Sequence, residues 1–427
     1  MKKLCVMAAM VAASSLSQSA LAIDPVLETQ VIEWRRHLHQ NPELSNREYQ
    51  TAAYVEAHLR SLGLEVQSKV AHTGVVGILR GGQPGPLVAL RADMDALPVA
   101  EQTDLHFASK VTTTYRNQQT GVMHACGHDT HVAILMGVAS SLAAKRDELQ
   151  GDVMFIFQPA EEGAPEGEEG GAELMLKEGL FAERQPDAAF GLHITSTLPV
   201  GYAGLRAGPL MASEDSFEIT LTGRQTHGSR PWSGIDPIVT AAQLINATQT
   251  IVSRQVDITK APAVVSFGAI NGGIRSNIIP DEVELIGTIR TFDQPMRADI
   301  KKRLAKTVEL VAETNGAESH LHINEGYPVT MNDHELVANY TPTLERVFGE
   351  GKVITTPLVT GAEDFSYYAL EVPGMFFFLG GTEPGIDPAT APTNHSPRFK
   401  IDERALGLGV DALVNITLDY QRDFVNK

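Results

Sequence analysis

The chain has 427 residues, 52 acidic against 34 basic side chains and a net charge of −18. That sign of excess excludes a nucleic-acid-binding surface, which needs clustered Lys and Arg, and otherwise reads as a solvated acidic exterior. The 2 cysteines, Cys5 and Cys126, are too few for a disulfide framework.

The chain opens MKKLCVMAAMVAASSLSQSALA. Lys2 and Lys3 form a basic start, Leu4 to Leu16 an apolar run, and Ala20-Leu21-Ala22 an A-x-A cleavage signal, so residues 1–22 read as a secretory signal peptide. Cleavage after Ala22 removes two lysines and no acid, taking −18 to −20, and leaves Cys126 as the one cysteine. Export to a bacterial periplasm is expected. About 400 mature residues are room for two domains. No later apolar run reaches membrane length, so no membrane partner is expected.

Two helices are predicted next. VLETQVIEWRRHLHQ is amphipathic and stops before Asn41-Pro42, and REYQTAAYVEAHLRSLG ends at a Gly63 cap. Apolar runs then alternate with helical stretches: GVVGILRG, PLVALRAD, VAILMGVASSLAAKR (a helix from Val132), GDVMFIFQPAEE, GAELMLKEG and DAAFGLHI. Continuous apolar strands between helices predict an α/β catalytic domain with a largely parallel sheet. From Met211 the pattern changes to β-α-β-β-α-β, a ferredoxin-like layer, before strand and site signals resume at VTGAEDFSYY, GMFFFLGG and NHSPRFKIDE. The predicted organisation is a catalytic domain in two parts, 23–208 and 327–427, interrupted by an inserted layer, 209–326.

Three strands end in polar chemistry: LVALRADMD, VMFIFQPAEE and AAFGLHI. Sites in open α/β sheets form beyond the carboxyl ends of strands. MHACGHDTH (123–131) supplies Cys126 and His128 two residues apart, with Gly127 free to bend the backbone between them. That pair suits a metal, a nucleophilic thiol or a buried inert cysteine. Glu161 and Glu162 are adjacent carboxylates that point apart in extended backbone. One can hold a metal while the other stays free as a general base, the pair of roles a metal hydrolase needs. His193 and His395 each read, taken singly, as ordinary loop or core histidines.

Taken together these blocks resemble a known family, the aminoacylase and carboxypeptidase-type metallopeptidases, in particular the amidohydrolases that include hippurate hydrolase and auxin-conjugate hydrolases. The resemblance rests on RRHLHQNPELSNREYQTA, RADMDALPV, MHACGHDTH, FQPAEEG, GLHI, QTHGSRPWSGIDPI, SNIIPDEVELIGTIR, GAEDFSY and NHSPRFKIDE, in that order along the chain. It implies two divalent ions per subunit on Cys126, His128, Glu162, His193 and His395, with the Cys126 thiolate able to bridge them. It implies Glu161 as general base and Asp95 as the carboxylate that orients a ligand. Asp93 is a further near-site candidate, and His124 and His131 are not ligands in this reading. The resemblance also implies that His227 reaches a neighbouring site across a homodimer, and that Asn277 and Arg290 hold the substrate. The expected reaction is hydrolysis of N-acyl or aroyl amino acids. Zinc, manganese, cobalt and nickel all suit so mixed a donor set. An exopeptidase with the same site, a cysteine-nucleophile hydrolase and a non-catalytic metal-binding protein are the rival readings.

Overall fold

The computed structural model describes residues 20–426. The basic start and apolar run of the expected leader, with Cys5, lie outside the described residues. Helices α1 (Pro25–Gln40) and α2 (Tyr49–Ser61) open the fold. Asp24 caps α1 by accepting from the Val26 and Leu27 amides, and Pro25 takes the first helical position, where no N–H is needed.

The main sheet has eight strands. In chain order they are β1 (Glu65–Val70), β2 (Gly74–Leu79), β3 (Gln83–Asp93), β4 (Gln150–Gln158), β5 (Ala188–Pro199) and β6 (Ala203–Leu205). After the insertion come β11 (Val353–Thr355) and β12 (Gly374–Thr382). Their spatial order is β1-β2-β4-β3-β5-β12-β6-β11. The central pairs β4/β3, β3/β5 and β5/β12 are parallel, as the unbroken apolar runs predict. Strand β4 shows why both faces must be covered. Val153, Phe155 and Phe157 enter one core, and Met154 and Ile156 enter another on the opposite face.

Helix α3 (His128–Ala143) packs on the first face between α1 and the carboxyl-terminal helix α6 (Arg404–Val425). Gly137 allows that closeness: a Cβ there would stand 2.7 Å from Val31 and 2.8 Å from Val410. Helix α3 starts at His128, not at Val132 as the apolar periodicity suggests. The amides of Thr130 and His131 bond to the Gly127 carbonyl, so the polar stretch His128 to His131 is the first helical turn. No helix among the described residues is long and apolar enough to cross a membrane.

The second layer contains β7 (Ser213–Thr222), α4 (Pro237–Thr250), β8 (Ala263–Gly272), β9 (Glu282–Thr291), α5 (Gln294–Thr314) and β10 (Glu318–Glu325). Its four strands pair antiparallel in the order β8-β9-β7-β10. Phe217, Ile219 and Leu221 alternate inward along β7 and pack with Leu244, Ile300 and Leu304 in a separate core. Asp215, also inward, is neutralised by a two-pronged bond from Arg297 at 2.7 and 2.8 Å. The chain enters and leaves this layer side by side, where the Glu214 amide donates to the Tyr327 carbonyl at 2.8 Å.

Candidate metal centre

Strands β4, β3 and β5 bring their carboxyl ends to one edge of the sheet, and five scattered residues converge there. The Cys126 sulfur lies 3.3 Å from His193 Nε2 and 3.3 Å from His395 Nε2. Donor atoms of Cys126, His128 and His193 all lie within 4.8 Å of one another, and so do those of Cys126, Glu162 and His395. The five side chains thus form two triads that share one sulfur.

Each donor is aimed by a neighbour. His193 Nδ1 donates to the Ile194 carbonyl at 2.7 Å, the tautomer that leaves the Nε2 lone pair free. His128 Nδ1 donates to Asp95 Oδ1 at 3.2 Å, and the buried His128 Nε2 has no hydrogen-bond partner among the described residues. Gly127 sets the angle between Cys126 and His128 with φ +99°, and a Cβ there would strike Ile194 at 2.3 Å. Asn394 donates to the carbonyls of Cys126 and Ile194, and the His395 amide donates to the Ala125 carbonyl. Asp95 accepts from the amides of Glu161 and Glu162 at 3.1 and 3.0 Å and from Ser45 at 2.7 Å. One carboxylate therefore fixes His128 and both glutamates.

The electrostatics fit cations. Burial, deepened by Glu162, Glu161 and Asp93, pushes the Cys126 thiol well above its ordinary value. A thiolate is therefore unfavourable here without positive charge beside it, which counts against a free cysteine nucleophile. Burial opposes charge on His128, but Asp93, Asp95 and Glu162 outweigh it and raise its pKa to about 10. Burial, then His131, keeps His193 neutral. Glu162 Oε1 stands 3.1 Å from His395 Nε2 without hydrogen-bond geometry and has no hydrogen-bond partner among the described residues. Two donors that meet without bonding each other suit a shared ion. The orphaned atoms of His128 and Glu162, with a soft sulfur and three imidazoles, match the donors of a transition-metal pair.

The chain matches Peptidase family M20/M25/M40 over residues 89–419. It belongs to that family. Thermostable carboxypeptidase 2 of Saccharolobus solfataricus is 43% identical over 90% of this chain and 93% of its own. N-acetyl-L-cysteine deacetylase of Bacillus subtilis is 39% identical over 89% of this chain and 85% of its own. The crystal structure of Bacillus subtilis YXEP protein, a dinuclear metal-binding peptidase of the M20 family, superposes with a TM-score of 0.76 at 34% identity, over 93% of this chain and 99% of that one. As an M20 member the protein is a metal-dependent hydrolase of amide or peptide bonds.

In this M20 hydrolase Glu161 is 6% exposed and lies within 4.8 Å of Glu363 and Asp364. Burial, then Glu363, pushes its carboxyl well above the usual range. Asp93 bonds His131 at 2.6 Å and Arg91 at 2.7 Å, while His131 Nε2 accepts from the Ile194 amide. With both nitrogens occupied, His131 is a strut between helix and strand. His124 is buried with neither ring nitrogen bonded among the described residues.

Arg290 lines a cavity of about 1120 Å³ whose wall also holds Cys126, Glu161, Glu162, His193 and His395; its Nη2 is 3.7 Å from Glu214. His227 and Asn277 are not among the cavity's lining residues. His227 pairs with Ile278 in a small exposed ribbon of the inserted layer, next to Asn277. Within one chain the structure brings Arg290 to the site and leaves the other two outside it.

Sequence reasoning missed the buried cluster under the site. Arg91 is 3% exposed, yet its guanidinium meets Asp93, Glu363 at 3.0 Å, Asp364 at 2.6 Å and Gln158 at 2.9 Å. The available signal was an arginine within the apolar run PLVALRAD, a charge that a two-sided buried strand admits only when paired.

Proposed function

We propose that the protein hydrolyses the amide bond of N-acyl or N-aroyl amino acids. Cys126, His128, Glu162, His193 and His395 would hold two divalent ions, with Glu161 as general base. The observation that carries this reading is the pair of triads sharing the Cys126 sulfur beside a carboxylate outside both. When bound, the ions supply a more acidic water and charge stabilisation for the carbonyl oxygen. Glu161 receives the proton of the attacking water and delivers it to the leaving nitrogen. Asp95 keeps the Glu161 and Glu162 backbones in place through the cycle. Arg290, a fork-shaped donor in the cavity wall, binds the substrate carboxylate.

His227 and Asn277 complete a neighbouring subunit's site in a homodimer formed through the inserted layer, residues 209–326. Export after Ala22 places the enzyme in the periplasm. A similar deacetylase supports N-acyl substrates, and a similar carboxypeptidase supports the second reading, an exopeptidase with the same site. A panel of N-acyl amino acids and dipeptides, run with metal-depleted and metal-restored protein, separates the two. Glu161→Gln should bind metal and lose turnover on every substrate; near-normal rates would sink the base assignment.

A further inference from the structure

Glu161 follows a strained turn. Ala160 has φ +53°, a left-handed conformation that an alanine adopts only when its surroundings impose it. Four contacts impose it. The Ala160 amide donates to Glu48 at 3.0 Å, the Glu161 and Glu162 amides donate to Asp95, and the Tyr327 hydroxyl donates to the Glu161 carbonyl at 2.5 Å. Glu48 and Asp95 belong to the first part of the catalytic domain. Tyr327 does not: it lies two residues past β10, on the segment returning from the inserted layer.

That segment is itself tied to the layer. Arg297 of α5 donates to the Gly326 carbonyl at 2.8 Å while gripping Asp215 of β7. The Glu214 amide holds the Tyr327 carbonyl. A continuous path of bonds thus runs from the inserted layer, through Gly326 and Tyr327, to the backbone of Glu161. Burial, then Asp364 and Glu161, holds the pKa of the Tyr327 phenol well above the ordinary value, so it is a constant donor.

We propose that Tyr327 is a positioning residue that ties the Glu161 backbone to the inserted layer, so that the placement of the general base depends on where that layer stands. This rests on the reading of Glu161 as the base. The contact is specific in kind. Phenylalanine at 327 keeps the ring and its edge-on contact with Tyr367, 6.3 Å between centroids, and removes only the bond to the carbonyl.

The test uses the metal-loaded full-length protein and one N-acyl amino acid substrate. Tyr327→Phe should lower kcat about tenfold, as expected for a base held slightly out of line. KM should move less than about twofold, metal content should stay at the parental value, and the melting temperature should fall only by the small amount one lost hydrogen bond explains. Arg297→Lys should lower kcat in the same direction. The double variant should fall no further than Tyr327→Phe alone, because both changes break one path. Parental kcat in Tyr327→Phe overturns the proposal, and so does a loss of rate that tracks loss of metal. Glu161→Gln is measured beside them. If it is inactive while Tyr327→Phe is normal, only the positioning role falls; if it is active, the base assignment falls first.

Discussion

Replacing Asp95 with asparagine removes one charge and one acceptor and changes the side chain's shape little. Asp95 Oδ1 serves His128 Nδ1 and the Glu161 amide; Oδ2 serves Ser45 and the Glu162 amide. An amide has one oxygen, so either orientation sets its NH2 against two of these groups. The less costly choice faces Ser45, whose hydroxyl can turn and accept, and leaves the Glu162 N–H without a partner. A buried donor left unbonded costs about 1–3 kcal/mol. Loss of a carboxylate behind a ligating histidine weakens metal binding about 10- to 100-fold. Asp95→Asn should therefore melt below the parent and release metal to a chelator at a 10- to 100-fold lower competitor concentration. Chelator competition with metal counting gives the affinity, and thermal unfolding gives the stability. Parental values in both would refute the role of Asp95 as the shared anchor of His128 and the two glutamates.

Gly127→Ala should cost about 2–5 kcal/mol, from a left-handed backbone and a Cβ forced against Ile194, and should lower metal content; unfolding and metal analysis check it. Asp129→Ala takes the nearer carboxylate, at 2.7 Å, from the 1% exposed Arg35 and leaves it only Glu403 at 3.4 Å, so thermal unfolding should show a loss at the lower end of about 3–5 kcal/mol. Mixing Glu161→Gln with His227→Ala chains should recover about a quarter of parental activity, since a heterodimer keeps one intact site; no recovery would remove the across-dimer role. Asp411 has its pKa raised to about 6 by burial, offset in part by the Ile23 amide at 2.6 Å, with Glu28 adding to the rise. A raised folded-state pKa favours the fold below about pH 4 and costs stability as pH climbs through 6. In the chain that still carries Ala22, Asp411→Asn should melt higher than the parent at pH 8 by roughly 1 kcal/mol after solvent screening, and not at pH 4. In a chain cut after Ala22, the Ile23 ammonium would pair with Asp411, and the same substitution should destabilise.

Much of the fold follows from runs visible in the sequence. LVALRAD, VMFIFQ and AAFGLHI lack polar alternation because both faces of the sheet are covered, and the charged residues after them mark the edge where the site lies. SFEITL alternates because one face of the inserted sheet meets solvent. The start of α3 was hidden because His128 to Asp129 carry ligand and anchor chemistry in a helical turn, where apolar periodicity is silent. The Arg91 cluster draws Glu363 and Asp364 from some 270 residues away in sequence, and no local pattern links them. Tyr327 has even less signal, since its partner is a backbone carbonyl. His227 and Asn277 lie at an exposed ribbon away from the cavity, and the role proposed for them needs a second chain.

The central claim is that five side chains grip two divalent ions needed for amide hydrolysis. Chelator-stripped protein should be inactive on its N-acyl amino acid substrate, and activity should return in proportion to added metal and level off at two equivalents per chain. Stripped protein that hydrolyses at the parental rate would contradict it.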